Sequence, residues 1–370
     1  MTRVGIVGGG QLGMMLAEAG PALGIGCVAL DPTPDAPVSR VCRQIVAPYD
    51  DVDALAELAA ASDVATYEFE NVPASAARSL ARRVPVFPAP EALEVTQDRL
   101  REKRLFEEIG LGVAAWAPVG SKEELAAALE VAGVPSVLKT RRLGYDGKGQ
   151  ARVTSADDAA DAWRSIGEEP SILESLVRFD RELSIIAVRA RDGATTCYPL
   201  VENRHRDGIL RTSFAPAPGA TPDLQATAER FAARAMERLG YVGVIAIELF
   251  QVGDRLLGNE IAPRVHNSGH WTIEGAATSQ FENHLRAICW LELGPTTATG
   301  YSAMVNLIGT MPEARSLPDG PGVHVHPYGK AERPGRKLGH VTVVSEDPDT
   351  VFRVLQVITR TADTSPRWRT

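Results

Sequence analysis

The sequence predicts a protein of mixed α/β and α+β class with more than one domain. Its 370 residues exceed what one hydrophobic core ordinarily serves. Residues 1–95 alternate strand-like and helix-like runs around glycine turns, as a doubly wound α/β domain does. Further along, pairs of strand-like runs flank short turn signals, a pattern typical of β-hairpins.

Composition and charge exclude several classes of function. The net charge of −8 offers no basic face for a nucleic-acid partner. No apolar run approaches the roughly 20 residues that span a bilayer, and strand-like Arg3–Gly8 stands where a signal peptide would lie. We therefore expect a cytoplasmic protein without a membrane partner. The four cysteines lack CxxC spacing, which favours buried free thiols.

The first glycine turn follows a strand and opens a helix. Gly8, Gly10 and Gly13 satisfy G-x-G-x-x-G, and Asp31 ends the next strand, where a ribose-binding acid belongs. This pattern favours NAD, although another phosphate ligand or close helix–sheet packing would use the same glycines. Gln11 places a polar side chain on the turn.

The remainder of the first domain continues the alternation. We predict a helix at Val52–Ala61 and strands at Val64–Phe69 and Val84–Phe87, for about five strands in all. Glu68 and Glu70 lie at the end of the strand Val64–Phe69, at the edge where open α/β sheets bind ligands. A charged surface loop is the alternative.

A second glycine-rich segment follows a strand that ends in lysine. A charged helix at Glu91–Ile109, predicted to be a solvated face, and a helix at Lys122–Ala132 precede the strand Val134–Lys139. The loop Gly144–Gln150 then has three glycines in six residues. Such a loop with nearby cations can close over a polyphosphate, or it can form a tight hairpin turn.

The next strands carry two acids. Ser171–Leu176 is predicted to be a strand, and Glu174 at its end and Glu182 beyond it suit an adenine amino group and a ribose hydroxyl, or they are surface acids. Leu183–Arg189 and Thr195–Val201 are predicted to pair. Helices are predicted at Ala226–Leu239 and Phe281–Leu291.

One hairpin carries an acid on each strand. Val242–Phe250 and Leu256–Ile261 flank a Gly-Asp turn, which sets Glu248 opposite Asn259 and Glu260. Facing carboxylates repel, and Mg²⁺ binds such a pair together with phosphate oxygens, so the hairpin predicts a nucleotide–metal site. A solvated hairpin is the alternative. The polar segment at 263–270 follows directly.

The last segment is rich in strands. We predict strands at Ser302–Ile308, Val323–His326 and Gly339–Val344. His324 and His326 would share one strand face as a possible metal pair. Four cations lie in the eight residues from Lys330 to Lys337, which suits a phosphate or a solvated basic turn.

Taken together, the motifs resemble one family. GGGQLG, GYDGKGQ, DGILRTS, APRVHNSGHW and RPGRKLGH, in this order, closely resemble the N5-carboxyaminoimidazole ribonucleotide synthetases of the ATP-grasp superfamily. The resemblance covers nearly the whole chain. It implies an ATP-grasp fold with a Rossmann-like pre-ATP-grasp domain at 1–95, a lid domain at 96–175, and a C-terminal domain at 176–370 that includes the strand-rich end.

The family resemblance implies a ligase of purine biosynthesis. Its substrates would be ATP, bicarbonate and 5-aminoimidazole ribonucleotide, its metal Mg²⁺, and its assembly a homodimer. Carboxyphosphate formed from ATP would carboxylate the exocyclic amine, with release of ADP and phosphate. The first glycine turn would then hold the ribonucleotide and not NAD.

The resemblance also assigns residues. The expected ATP contacts are Arg99, Lys139, Gly144, Tyr145, Asp146, Gly147, Gly149, Gln150, Glu174, Ser175, Leu176, Val177, Glu182, His205 and Asn259. Glu248 and Glu260 would hold the metal. The carboxylation site would use Arg264, His266, Asn267 and Lys148. The ribonucleotide would contact Gln11, Leu12, Glu70, Tyr145, Asp146, Lys330, Arg333 and Arg336.

Two departures and three rivals accompany this assignment. Ala262 stands where many ATP-grasp proteins carry a second-strand Asn, and Lys148 stands where arginine is expected. The rivals are formate-dependent glycinamide ribonucleotide transformylase, an NAD-dependent dehydrogenase and a non-catalytic nucleotide-binding module. The dehydrogenase would leave the paired glutamates and the second glycine loop without a role.

Overall fold

The computed structural model describes residues 1–144 and 149–362. The chain begins with a four-stranded parallel sheet in the order β3-β2-β1-β4. Its elements are β1 (Thr2–Val7), α1 (Gln11–Ala19), β2 (Ile25–Asp31), β3 (Arg43–Val46), α2 (Val52–Ala60), β4 (Val64–Tyr67) and α3 (Ala74–Ala81). Asp51 starts α2 by accepting hydrogen bonds from Asp53 N and Ala54 N.

The predicted fifth strand at Val84–Phe87 is wrong, because only Val86 forms an isolated bridge, to Ala65. Pro85 and Pro88 interrupt this stretch, and proline has no N–H to extend a ladder.

The predicted single helix at Glu91–Ile109 is two helices, α4 (Pro90–Thr96) and α5 (Arg99–Glu108). Asp98 is extended between them and its Oδ1 accepts from Leu100 N at 3.1 Å, which starts α5 afresh. The predicted solvated face is also wrong, because Asp98, Glu102 and Lys103 are at most 2% exposed.

A second, antiparallel sheet has the strand order β5-β8-β6-β7. Its elements are β5 (Trp116–Val119), α6 (Lys122–Ala132), β6 (Ser136–Thr140), β7 (Gln150–Val153), α7 (Ala159–Ser165) and β8 (Ser171–Ser175). Leu125 and Trp163 of the helices pack on Leu138 and Leu173 of the strands. The glycine loop joins β6 to β7 at one end of this sheet.

The third sheet has nine strands in the order β14-β13-β9-β11-β12-β15-β17-β16, with β10 paired to β9. Its strands are β9 (Arg181–Arg189), β10 (Thr195–Cys197), β11 (Val201–Arg206), β12 (Ile209–Ala215), β13 (Gly243–Val252), β14 (Arg255–Ala262), β15 (Tyr301–Ile308), β16 (Val323–Pro327) and β17 (Lys337–Ser345). Its helices are α8 (Pro222–Arg238), α9 (Thr272–Gly275), α10 (Gln280–Ile288) and α11 (Pro348–Ala362). The strand-rich end therefore extends the same sheet that carries the hairpin.

The predicted strand Thr195–Val201 is instead the whole of β10 and the first residue of β11. Its predicted pairing with β9 holds for Thr195–Cys197. Pro199 lies between them and has no N–H to donate to a ladder.

Alternate residues of the central strands fill two cores, one on each face of the large sheet. In β9, Ile185 and Ala187 face one core, whereas Ile186 and Val188 face the other. Four polar residues lie on the same face of the sheet as Ile186, toward the end of β9 away from Val188: Glu182, Ser184, Asn203 and Glu248. This end of the face forms the floor of the candidate site. No helix within the described residues is long and apolar enough to cross a membrane.

Candidate active site

A cavity of about 1120 Å³ lies between the three sheets. It brings together most of the residues singled out in the sequence: Gln11, Leu12, Glu70, Arg99, Lys139, Gly144, Gln150, Leu176, Glu182, His205, Glu248, Asn259, Glu260, Arg264, His266, Asn267 and Lys330. A volume of this size accommodates a nucleotide together with a second substrate.

Other predicted residues do not line the cavity. Gly149, Glu174, Ser175, Val177, Arg333 and Arg336 lie outside its wall. The Ser175 hydroxyl donates to Ala132 O at 2.6 Å, and Arg336 Nη1 donates to Ala331 O at 3.2 Å within its own turn. The loop residues Tyr145, Asp146, Gly147 and Lys148 lie outside the described residues. The roles assigned to these ten residues remain predictions, as do the roles of the residues that line the cavity.

The hairpin carboxylates face each other as its sequence predicts. Glu248 is paired with Glu260 across β13 and β14, and a bulge follows Glu248. Burial and the nearby Glu260 charge raise the pKa of Glu248 to about 7. A divalent cation between the two carboxylates would offset this repulsion, so the donor set fits Mg²⁺.

Cations balance the second carboxylate of this pair. Desolvation acts to raise the pKa of Glu260, but Arg99 and Lys139 outweigh it and the net shift is downward. Arg99 Nη1 lies 3.3 Å from Glu260 Oε2, whose side chain remains 44% exposed. Asn259 Nδ2 is 3.4 Å from Glu248 Oε2. Glu260 is therefore ionised, whereas Glu248 would become ionised when a cation binds between the two carboxylates.

A buried ion cluster lies behind the hairpin. Glu174 is 3.0 Å from Lys139 and 3.4 Å from Lys103. Burial acts to raise the pKa of Glu174, but Lys139 and Lys103 outweigh it and lower this pKa to about 2. Lys103 Nζ also donates to Asn259 O at 2.9 Å. Sequence reasoning missed Lys103, since an isolated lysine in a charged helix gives no signal of burial.

The segment after the hairpin holds the polar groups next to the carboxylates. Arg264 pairs with Glu70, which lies in the turn after β4 of the first sheet. His266 Nε2 lies 3.7 Å from Glu248 Oε1. Burial, Arg264 and Lys337 lower the pKa of His266 well below its usual range, so its ring is neutral. The amide nitrogen and oxygen of Asn267 are buried and make no hydrogen bond within the described residues.

Gln280 holds the backbone of this segment in place. Its Oε1 accepts from His266 N at 2.9 Å and its Nε2 donates to His266 O at 2.7 Å. Gln280 is fully buried at the start of α10. Sequence reasoning did not single it out, because the contact joins residues on different elements.

The first glycine turn binds carboxylates of its own chain. Asp31 Oδ2 accepts from Gly9 N at 2.7 Å and from Tyr49 OH at 2.9 Å. Glu68 Oε1 accepts from Gly10 N at 2.7 Å. A Cβ on Gly10 would lie 2.8 Å from Glu68 Oε1. A dinucleotide pyrophosphate would meet two carboxylates here, which contradicts the NAD interpretation.

The basic turn faces the same end of the cavity through Lys330 and Lys337. Lys330 Nζ donates to Gln11 Oε1, which joins the turn to the first helix. Burial lowers the pKa of Lys330 to about 8, against the opposing effect of Glu68. Lys337 is one of the four cations of this turn but not one of the residues that the resemblance assigned, and the structure places it in the cavity wall.

The proposed histidine metal pair is not formed. His326 Nε2 lies 2.6 Å from Glu274 Oε1, and its ring stacks on His340 at 4.4 Å. Across residues 1–144 and 149–362, no group of three or more His, Cys, Asp and Glu side chains could hold a metal ion.

Three family models match successive parts of the chain. The ribonucleotide synthetase pre-ATP-grasp domain matches residues 1–97 and the ATP-grasp domain matches residues 104–281. The phosphoribosylaminoimidazole carboxylase C-terminal domain matches residues 302–353. The expected ATP-grasp fold with an N-terminal pre-ATP-grasp domain is confirmed.

Similar proteins cover the chain nearly end to end. An N5-carboxyaminoimidazole ribonucleotide synthase of Pseudomonas aeruginosa is 48% identical and covers 94% of this chain and 96% of its own. The crystal structure of N5-carboxyaminoimidazole ribonucleotide synthetase from Thermus thermophilus is 52% identical, with a TM-score of 0.94 and coverage of 98% and 99%.

A third relative has ligands bound. The crystal structure of an Aspergillus clavatus N5-carboxyaminoimidazole synthase in complex with ADP and 5-aminoimidazole ribonucleotide is 32% identical. Its TM-score is 0.91, and the match covers 98% of each chain. The chain therefore belongs to the N5-carboxyaminoimidazole ribonucleotide synthase family of ATP-grasp ligases.

Proposed function

We propose that this protein uses ATP to carboxylate the exocyclic amine of 5-aminoimidazole ribonucleotide with bicarbonate, in purine biosynthesis. ADP and phosphate are the other products. The observation that carries the proposal is a single cavity that joins the hairpin carboxylates to Arg264 and His266 and, at its far end, to Lys330. A nucleotide, a small anion and a phosphorylated second substrate therefore have adjoining places.

The nucleotide occupies the end between the second sheet and the hairpin. Lys139 and Arg99 supply positive charge where the phosphates lie, and Leu176 and Phe250 line the wall beside them. Glu182, which pairs with His205, would accept a hydrogen bond from a ribose hydroxyl. Mg²⁺ at Glu248 and Glu260 would neutralise charge on the phosphates during transfer.

Bicarbonate lies beyond the terminal phosphate, beside Arg264, His266 and Asn267. Bicarbonate is a poor electrophile, and transfer of a phosphoryl group to it creates carboxyphosphate, which has a good leaving group. Arg264 offers charge-assisted hydrogen bonds to this anion, and the buried Asn267 amide supplies a further donor and acceptor. The buried wall restricts water that would hydrolyse the intermediate.

The ribonucleotide lies against the first glycine turn. Gln11, Glu70 and Lys330 face this end of the cavity. The ammonium group of Lys330 and the neighbouring Lys337 suit a phosphate monoester. Glu70, held by Arg264, is positioned between the ribonucleotide and the carboxyphosphate sites.

Further parts of the proposal follow from the family resemblance. They are a homodimer in the cytoplasm, Mg²⁺ as the metal, and a division of the chain into domains at 1–95, 96–175 and 176–370.

The decisive experiment measures phosphate release from ATP with each candidate pair of substrates. We expect turnover with bicarbonate and 5-aminoimidazole ribonucleotide together. Turnover that requires glycinamide ribonucleotide and formate instead would refute the proposal. Tight binding of a nicotinamide dinucleotide without ATP binding would support the dehydrogenase alternative.

A further inference from the structure

A buried hydrogen-bond chain leads from the centre of the large sheet to His266. Ser213 Oγ donates to Asn203 Oδ1 at 2.7 Å, and Asn203 Nδ2 donates to Ser184 Oγ at 2.9 Å. Ser184 Oγ lies 2.8 Å from Ser268 Oγ, which lies 2.8 Å from His266 Nδ1. Ser213, Asn203, Ser184 and Ser268, here termed the serine–asparagine chain, are each at most 3% exposed.

The contacts at the His266 end of the serine–asparagine chain agree with one direction of its hydrogen bonds. The backbone N–H of Ser268 also points at His266 Nδ1, at 3.3 Å, and an amide N–H can only donate. An unprotonated His266 Nδ1 accepts this long contact, whereas a protonated one would set two N–H groups against each other. The Ser268 hydroxyl must then donate to it as well, and Ser268 Oγ must accept from Ser184.

The Asn203 end of the serine–asparagine chain gives its hydrogen bonds the same direction. Ser184 Oγ accepts from the Asn203 amide, so its own hydrogen is available for Ser268. The Ser184 and Ser268 hydroxyls thus each accept one hydrogen bond and donate one. The direction is the same from Ser213 through to the imidazole ring.

We propose that the serine–asparagine chain fixes the proton of His266 on Nε2, so that the ring is a hydrogen-bond donor into the cavity. His266 lines the cavity, and its Nε2 is 3.7 Å from Glu248 Oε1, beyond hydrogen-bond distance. An anionic oxygen beside Nε2 receives this N–H. A ring with its proton on Nε2 cannot act as a base through that atom.

The donor role rests on the proposed function, because it requires bicarbonate or carboxyphosphate beside His266. The tautomer of His266 does not depend on the proposed function, since it follows from hydrogen bonds within the protein itself. Asn203, Ser184 and Ser268 are accordingly positioning residues that act through His266. Gln280 holds His266 through its backbone N–H and carbonyl and not through the ring.

The tautomer can be measured without any activity. In the full-length protein labelled with ¹⁵N-histidine, long-range ¹H–¹⁵N correlation separates protonated from unprotonated ring nitrogens. The chain has 7 histidines, and a His266→Gln spectrum identifies the signals of His266. We expect an unprotonated Nδ1 and a protonated Nε2. A proton on His266 Nδ1 in the unmodified protein would overturn the proposal.

Asn203→Asp tests the direction of the chain. A carboxylate only accepts, so Ser184 turns its hydrogen toward residue 203 and Ser268 donates to Ser184. His266 then donates from Nδ1, because the opposing contact from Ser268 N is long, at 3.3 Å. We expect the proton to move to Nδ1, and kcat to fall on the order of 100-fold, as for loss of an oxyanion donor, with KM for ATP little changed. A folded variant that keeps the proton on Nε2 contradicts the proposal.

Two further variants separate this effect from general loss of stability. Asn283→Asp changes another fully buried amide, which donates to Tyr198 OH at 2.9 Å and to Gly294 O at 3.1 Å. We expect the His266 tautomer to be unchanged in Asn283→Asp. A change of tautomer in this variant would argue against the serine–asparagine chain as its cause. If Asn203→Asp does not fold, Ser184→Ala should give both His266 tautomers, and a pure Nε2–H signal would refute the proposal. Absence of carboxylation with the expected spectra would refute only the proposed function.

Discussion

Lys103→Met removes one of the two cations that hold Glu174 ionised inside the protein. The Lys103 and Glu174 side chains are 1% and 5% exposed, and their charged atoms are 3.4 Å apart. Methionine has a similar length and fills the same space without the charge. The substitution therefore tests the ion pair and not the packing around it.

The expected loss of stability follows from this burial. Removing one partner of a buried ion pair costs about 3–5 kcal/mol, because the remaining charge has no compensation. Lys139 stays 3.0 Å from Glu174, so we expect a cost at the lower end, about 3 kcal/mol. The hydrogen bond from Lys103 to Asn259 O is lost as well, which should raise KM for ATP by displacing β14.

Urea unfolding of the variant and the unmodified protein measures the change in the free energy of unfolding. The exposed Lys122→Met is the matched control and should alter it by less than about 0.5 kcal/mol. Adding Glu174→Gln to Lys103→Met removes both charges and should restore part of the loss. A Lys103→Met change as small as that of the control would refute the electrostatic argument.

Three other predictions concern residues that line the cavity. Glu260→Gln should abolish ATP turnover, because an amide binds Mg²⁺ poorly, and circular dichroism should show the fold intact. The control Glu237→Gln, at an exposed position, should leave turnover unchanged. Undiminished turnover in Glu260→Gln would mean that Glu260 does not bind the metal. Since the pKa of Lys330 is lowered to about 8, its charge is present below that pH and lost above it, so KM for the ribonucleotide should rise with pH through 8. Lys330→Arg stays charged and should remove that rise; identical profiles would exclude Lys330 as its source. Lys337→Ala should raise KM for the ribonucleotide more than Arg336→Ala does, because Lys337 lines the cavity and Arg336 does not. A larger rise in Arg336→Ala would mean that Arg336 holds the phosphate.

Local patterns predicted the elements whose neighbours are close in sequence. The hairpin is the clearest example, since its turn and alternation set Glu248 opposite Asn259 and Glu260, and the structure pairs it with Glu260. The predictions failed where proline or a cap interrupted a run. Pro85 and Pro88 prevent a fifth strand in the first sheet, and Asp98 divides the predicted long helix into two.

The sequence by itself determined the family and the hairpin, because motifs and turns depend on residues near one another in the chain. Only the tertiary structure decided which charges are buried and how His266 is held. Lys103 meets Asn259, and Ser184 meets Ser268, across 156 and 84 residues respectively. Burial and hydrogen-bond direction depend on such distant partners, and a local pattern does not contain them.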